Sequence, residues 1–123
     1  MTTTLVGNIV KDPEMRYTNS GKAVASFSVA VSKKRGDEEY TSYFDCSAWS
    51  PLAENIVDTL RKGDRVVLFG ALTQDRFEKD GQKRSAVNLT VDAIGPELRF
   101  AKATIHKIPK GESSAPHADT APF

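Results

Sequence analysis

The stretch Tyr43-Phe44-Asp45-Cys46-Ser47-Ala48-Trp49 decides how this chain folds. Successive side chains of a β-strand point to opposite faces, so Phe44, Cys46 and Ala48 share one face, which suits a packed core. Tyr43, Ser47 and Trp49 share the other face, so two large aromatic rings point away from that core. Solvent-side aromatic rings among basic residues can stack on nucleobases, whose faces are available only in a single strand.

Composition limits the classes of protein to consider. A chain of 123 residues fits one domain with a modest core. The formal net charge is only +1, so a nucleic-acid site must come from a local arrangement of Lys and Arg. The single cysteine, Cys46, excludes an internal disulfide and fits a buried thiol in a reduced cytoplasm.

The N-terminus shows no targeting pattern. Met1 to Gly7 leads directly into strand-like sequence, without a basic segment followed by an apolar block. No apolar run approaches the length that spans a membrane. We therefore expect a soluble, cytoplasmic protein with no membrane partner.

Alternation and turn residues predict the strands before the helix. Thr3–Val10 reads as a first strand that ends at Asp12-Pro13, and Met15–Thr18 could continue it after a bend. Ala23–Ser32 alternates clearly, as a half-buried strand does. A charged loop, Lys33 to Glu39, separates it from the strand Tyr40–Trp49.

One short helix follows that strand. Ser50 is predicted as the N-cap and Pro51 as the first helical residue. Leu52, Ile56 and Leu60 form an apolar stripe. Gly63 is well placed to end the helix.

The second half of the chain again reads as strands. Val66–Leu72 carries Gly70, which predicts a bulge, and Asp75–Arg84 resembles a long hairpin arm turning at Asp80-Gly81. Ser85–Ile94 alternates strictly, and Leu98–Ile105 is predicted as a further strand.

Five principal strands with one helix between the third and fourth predict an all-β protein with an OB-fold, a five-stranded Greek-key barrel. Such barrels bind oligonucleotides or oligosaccharides on the face of strands 2 and 3. Residues 1–106 are predicted to form this domain. Lys107–Phe123 is rich in Pro, Ser, Ala and Gly, and it is predicted to be a disordered tail.

The ordered string of residues from Thr3 to Ile105 resembles the bacterial single-stranded DNA-binding proteins. The resemblance rests on Gly7 to Thr18, Gly21 to Val31, Phe44 to Trp49, Leu52 to Asn55, Lys62 to Val66 and Gly70. Ile94 to Phe100 further resembles the actinobacterial branch, in which an extra C-terminal strand reinforces subunit pairing.

The resemblance implies sequence-independent binding and protection of single-stranded DNA in replication, repair, recombination or DNA uptake. It implies a homotetramer, a dimer of dimers associated with the nucleoid, without a cofactor or metal. The positions that match base-stacking aromatics are Tyr43, Trp49 and Phe77. Those that match phosphate-contacting residues are Lys33, Lys34, Arg35, Arg76, Lys79, Lys83 and Arg84.

Two departures from the family pattern stand out. Some relatives place an aromatic residue near Arg35, so a guanidinium plane could replace one stacking platform here. The tail is short, and its tip keeps Pro122 and Phe123 but has only Asp119 as a nearby acidic side chain. Recruitment of replication and repair proteins through this tip is therefore expected to be weak, as in an accessory paralogue.

Other interpretations of the same residues stay open. Tyr43 and Trp49 could pack at a subunit interface, Phe77 could anchor a neighbouring chain, and Phe69 fits either a DNA face or a protein interface. An OB-fold could also act as a protein adaptor or bind RNA through the 2′-hydroxyl. An enzyme is disfavoured, because His106 and His117 lie where nothing would fix catalytic geometry.

Overall fold

The structure, a computed structural model, describes residues 1–109, except for the side chains of six residues in one hairpin. Those six are Asp75, Phe77, Lys79, Arg84, Ser85 and Ala86. The elements are β1 (Thr2–Ile9), β2 (Glu14–Tyr17), β3 (Ala23–Arg35), β4 (Glu38–Trp49), α1 (Leu52–Thr59), β5 (Arg65–Lys79) and β6 (Gln82–Pro96).

Five strands close into a barrel. Neighbours follow the order β1, β5, β6, β4 and β3, and β3 returns to pair with β1. The β4–β6 pair is parallel, whereas the other pairs are antiparallel. This closed five-stranded barrel with one short helix between β4 and β5 confirms the predicted OB-fold.

The core fills the barrel with the inward residues that alternation predicts. Phe27, Val29, Cys46 and Ala48 are buried, and Phe44 packs against them. The buried face of α1 joins this cluster through Ala53 and Ile56, and Leu60 joins it directly after the helix. Burial, and to a smaller extent the neighbouring Asp45 carboxylate, raise the pKa of the Cys46 thiol to about 12.

The helix boundaries differ from the prediction. Pro51, not Ser50, occupies the N-cap, and no side chain caps it. Ser50 lies between β4 and the helix, and its N–H donates to the carbonyl of Ala23 of β3 at 3.0 Å. The helix ends at Thr59 rather than near Gly63, since extended backbone at Leu60 lets that side chain enter the core.

Close backbone approach explains the predicted irregularity at Gly70. The β5–β6 register shifts between Phe69 and Gly70. A Cβ at Gly70 would lie 2.1 Å from the carbonyl oxygen of Thr90, so only glycine fits there. The β5–β6 hairpin turns at Asp80 and Gly81, both with positive φ, as predicted.

Met15–Thr18 does not continue the first strand. Residues 14–17 form β2, which pairs with β3 in a short hairpin. The chain reverses at Thr18–Lys22, where the N–H of Thr18 donates to the carbonyl of Lys22 at 2.9 Å.

The predicted strand Leu98–Ile105 is wrong for this chain. Glu97 accepts the guanidinium N–H of Arg65 and the backbone N–H of Arg99, each at 2.7 Å, so the chain turns directly after β6. Both bonds lower the pKa of the Glu97 carboxyl below its usual value, and the bond from the Arg65 side chain contributes the larger part. Arg65 and Arg99 therefore have a structural role at this turn.

The tail prediction falls mostly outside the described residues. Lys107 to Pro109 have no regular secondary structure, and residues 110–123 lie outside the part that the structure describes. The boundary between residues 1–106 and Lys107–Phe123 stays a prediction. In residues 1–109 no helix is long and apolar enough to cross a bilayer.

Candidate nucleic-acid interface

Strand β4 presents its predicted aromatic residues to solvent. Tyr43 is 68% exposed and Trp49 is 45% exposed, on the side opposite Cys46 and Ala48. In the register, Tyr43 lies opposite Ala30, and Trp49 lies opposite Val24. We call this solvent side of β4, with the matching sides of β3 and β6, the outer face.

Small polar side chains lie between the two rings. Ser28 of β3 donates its hydroxyl to Asp45 Oδ1 at 3.0 Å. Asn88 of β6 donates its amide to Ser47 Oγ, also at 3.0 Å. These side chains are short and bonded to one another, so they do not project far from the sheet. The two rings therefore have open space between them.

A groove adjoins Trp49 at the end of the sheet. It is lined by Tyr17, Lys22, Trp49, Ser50 and Glu54, with Gly21 and Ala23. Tyr17 is 70% exposed. The groove brings a second aromatic ring and a lysine close to Trp49.

The register also places a cation, which the sequence analysis missed, in the same row of the sheet as Trp49. Arg16 pairs with Val24, whose other neighbour is Trp49, so the three residues form one row across the sheet. Arg16 Nη2 donates to Ser26 Oγ at 3.3 Å, which holds the guanidinium on the outer face. The Asn19-Ser20-Gly21 turn was the available signal, since a tight hairpin there fixes the pairing of Tyr17 with Ala23.

The basic loop after β3 is divided between two sides of a long β3–β4 hairpin. Lys34 lies opposite Glu39 on the side that carries Tyr43. Lys33 and Arg35 lie on the other side, where they line a groove with Tyr40, Phe44 and Leu5. The three cations are exposed, but only Lys34 shares the outer face.

The β5–β6 hairpin carries the remaining predicted cations. Arg76 and Lys83 are exposed. Phe77 lies opposite Arg84 in the backbone register, and Lys79 lies opposite Gln82. The side chains of Phe77, Lys79 and Arg84 lie outside the part of the chain that the structure describes, as do Asp119, Pro122 and Phe123 of the tail.

A second exposed apolar region lies on β5. Val67 and Phe69 are 37% and 43% exposed and point to the same side of the strand. Phe100 is also exposed, and the guanidinium carbons of Arg65 and Arg99 lie 5.7 and 5.8 Å from its ring centre. Phe69 is thus on the surface, which fits both of the roles that the sequence left open.

Nothing in the described residues resembles a metal centre. No group of three or more His, Cys, Asp and Glu side chains is placed to hold an ion within residues 1–109. The only cysteine is buried and has a raised pKa, which disfavours the nucleophilic thiolate form.

Comparison with known proteins gives one consistent result. Residues 1–97 match the single-strand binding protein family. The chain is 42% identical over 114 residues to the single-stranded DNA-binding protein of Mycolicibacterium smegmatis, covering 86% of this chain and 69% of that protein. It is 41% identical to the protein of the same name from Mycobacterium tuberculosis, covering 86% and 70%. A Corynebacterium glutamicum protein of that name is 40% identical over 119 residues, covering 90% and 53%. The chain therefore belongs to the single-strand binding protein family.

Proposed function

We propose that this protein binds and protects single-stranded DNA without requiring a particular sequence. The observation that carries the proposal is the pair of exposed rings, Tyr43 and Trp49, on the outer face of an OB-fold barrel. The names and sequence identity of the relatives support the same ligand. Binding is the whole activity, and we expect no catalytic step.

Base stacking supplies the first part of the binding energy. Tyr43 and Trp49 are six residues apart on one strand, or about 20 Å, so several nucleotides can follow the face between them. Each stacked base contributes on the order of 1–3 kcal/mol. Phe77 is proposed as a third platform, close to the turn of the β5–β6 hairpin. Duplex DNA binds poorly because its bases are already stacked and paired.

Phosphate neutralisation supplies the second part. Lys34 is on the outer face, and Arg76 and Lys83 are exposed on the β5–β6 hairpin. Lys33 and Arg35 would be reached by DNA that passes around the β3–β4 hairpin. Lys79 and Arg84 stay proposals from the sequence. Arg16 and Lys22 extend the same path beside Trp49.

Assembly would multiply the effect of one barrel. We propose a homotetramer, a dimer of dimers, and the exposed Val67 and Phe69 support a protein contact on β5. Several barrels on one strand gain affinity through effective concentration. The same proposal includes a role in replication, repair, recombination or DNA uptake, and a cytoplasmic location. It also includes weak recruitment of partner proteins by Asp119, Pro122 and Phe123.

The deciding experiment is a titration with oligo(dT) of increasing length. Trp49 is the only tryptophan, so its fluorescence reports on the proposed site. We expect quenching, affinity that rises with length, and a much smaller response to a duplex of equal length. The slope of log K, the logarithm of the association constant, against the logarithm of the salt concentration should be roughly −0.7 per phosphate contact.

The controls separate DNA binding from the other OB-fold functions. Oligo(U) of the same lengths tests for an RNA preference, and light scattering gives the mass of the free protein and of the complex. Absence of both quenching and affinity would reject the proposal and favour a protein adaptor. Tighter binding to oligo(U) than to oligo(dT) would replace DNA by RNA.

A further inference from the structure

The centre of the outer face carries a carboxylate that stacking and phosphate neutralisation do not explain. Asp45 is two residues from Tyr43 on the same side of β4, or about 7 Å along the strand. Its side chain is exposed. A base stacked flat on the Tyr43 ring would extend its edge over this carboxylate.

Asp45 is only partly bonded within the protein. Its Oδ1 accepts the Ser28 hydroxyl at 3.0 Å, which fixes the orientation of the carboxylate. Among the described side chains, no donor reaches Oδ2 and no cation pairs with Asp45. The neighbouring Asn88 directs its amide to Ser47 instead. One carboxylate oxygen of this exposed residue therefore has no partner among the described side chains.

A DNA strand on this face would remove water from that oxygen. Desolvating a carboxylate is unfavourable unless hydrogen-bond donors replace the water. Phosphates offer no donor and have the same charge. The replacement donors must come from the edges of the bases.

The four bases differ in the donors that they offer. Guanine presents N1–H and the N2 amino group side by side, and an ionised carboxylate accepts two such bonds with its two oxygens. Cytosine and adenine each present one amino group beside an acceptor. Thymine presents a single N3–H between two carbonyl oxygens, which repel the carboxylate. The order of preference should be guanine first and thymine last.

We propose that Asp45 gives the outer face a preference for guanine at the nucleotide next to the base stacked on Tyr43. The inference rests on the proposed single-stranded DNA binding and adds a bias to it. All sequences still bind through stacking and phosphate contacts, and guanine binds more tightly at one position of the path. A preference of roughly fivefold for guanine corresponds to the lower end of a paired base contact.

The experiment compares three short oligonucleotides that differ only in isolated positions. One is all thymidine, the second has single deoxyguanosines separated by thymidines, and the third has deoxyinosine at those positions. Hypoxanthine keeps N1–H and O6 but lacks the N2 amino group, and isolated guanines avoid four-stranded structures. We expect the guanine oligonucleotide to bind roughly fivefold more tightly than the inosine one.

Asp45→Asn is the decisive variant, because it keeps an oxygen for the Ser28 hydroxyl but removes the charge. We expect its guanine-to-inosine ratio of affinities to fall close to one, while its affinity for oligo(dT) rises. Asp58→Asn removes an exposed carboxylate on α1, and it should leave the ratio at the wild-type value. Thermal unfolding of each variant verifies that the fold is intact.

Two outcomes would overturn the inference alone. Binding of oligo(dT) by the wild type without discrimination between guanine and inosine would remove the base contact. An equal gain for all three oligonucleotides in Asp45→Asn would make Asp45 a repulsive charge only. If the wild type bound none of the three, the proposed function would fail together with the inference.

Discussion

The two sides of β4 are made of alternating residues of one strand, yet they have opposite properties. Phe44, Cys46 and Ala48 face the barrel interior, where Cys46 and Ala48 are at most 2% exposed. Tyr43 and Trp49 face solvent, although a ring is as costly to expose as the inner side chains are. The inner side has an evident role in folding. Among the described residues, neither outer ring belongs to the core cluster, which is why we propose that both rings bind a ligand.

That contrast predicts that folding and binding can be damaged separately. A variant on the inner side should reduce stability and leave the binding chemistry intact in the molecules that fold. A variant on the outer side should do the reverse.

The largest expected effect is on the inner side. Phe27 lies opposite Cys46 and is 3% exposed, so Phe27→Ala leaves a cavity in the barrel. We expect a loss of about 3–5 kcal/mol in the free energy of unfolding. Urea unfolding followed by circular dichroism measures it. A loss below 1 kcal/mol would mean that the barrel collapses around the cavity and that the inner side is less tightly packed than the structure indicates.

The next effect is on the outer side and concerns DNA affinity. Tyr43→Ala should weaken oligo(dT) binding by on the order of 1–3 kcal/mol, which is about 5- to 150-fold. Its free energy of unfolding should change by about 0.5 kcal/mol or less, as for most surface substitutions.

Tyr40→Ala is the matched control for that change. Tyr40 is 52% exposed on the same strand, but it lies on the other side of the hairpin with Lys33 and Arg35. We expect a smaller loss of affinity than for Tyr43→Ala. Equal losses for both tyrosines would show that DNA does not distinguish the two sides, and the outer face would no longer define the site.

Alternation was sufficient to predict what faces inward along β3 and β4. Period-two patterning assigned Cys46 and Ala48 to the core and Tyr43 and Trp49 to solvent, because burial of one sheet face fixes the register of each strand. The same alternation, continued to Arg35, would have separated Lys34 from its two neighbours. Treating Lys33 to Glu39 as a loop concealed that signal, since the strands extend to Arg35 and begin again at Glu38.

Pairing between strands was harder to predict than the strands themselves. Arg16 shares a row with Trp49 only through the register of β2 on β3, a tertiary property that the residues of β2 do not contain. Leu98–Ile105 has strand-like composition, but the ion pair of Glu97 with Arg65 turns the chain away first. Local pattern therefore located the face, and long-range contacts determined which cations share it.

The smallest expected effect returns to the inner side, at alkaline pH. The folded state raises the pKa of Cys46 from its ordinary value of 9.0 to about 12, because burial disfavours the thiolate. The stability that this difference contributes is complete below pH 9, and it is lost as the pH rises towards 12, because the unfolded thiol ionises first.

Raising the pH from 7 to 10 should lower the free energy of unfolding of both proteins. We expect the decrease to be about 1 kcal/mol larger for the wild type than for Cys46→Ala. Urea unfolding of both proteins at the two pH values gives this difference, and the comparison cancels the tyrosines and lysines that also titrate.

Ser47→Cys in the Cys46→Ala background supplies the outer-side counterpart, since its thiol should react readily with an alkylating reagent and be protected by oligo(dT). Native Cys46 should react only after unfolding. Equally fast labelling at both positions would mean that the inner side of β4 opens to solvent. The two sides would then differ less than their burial indicates.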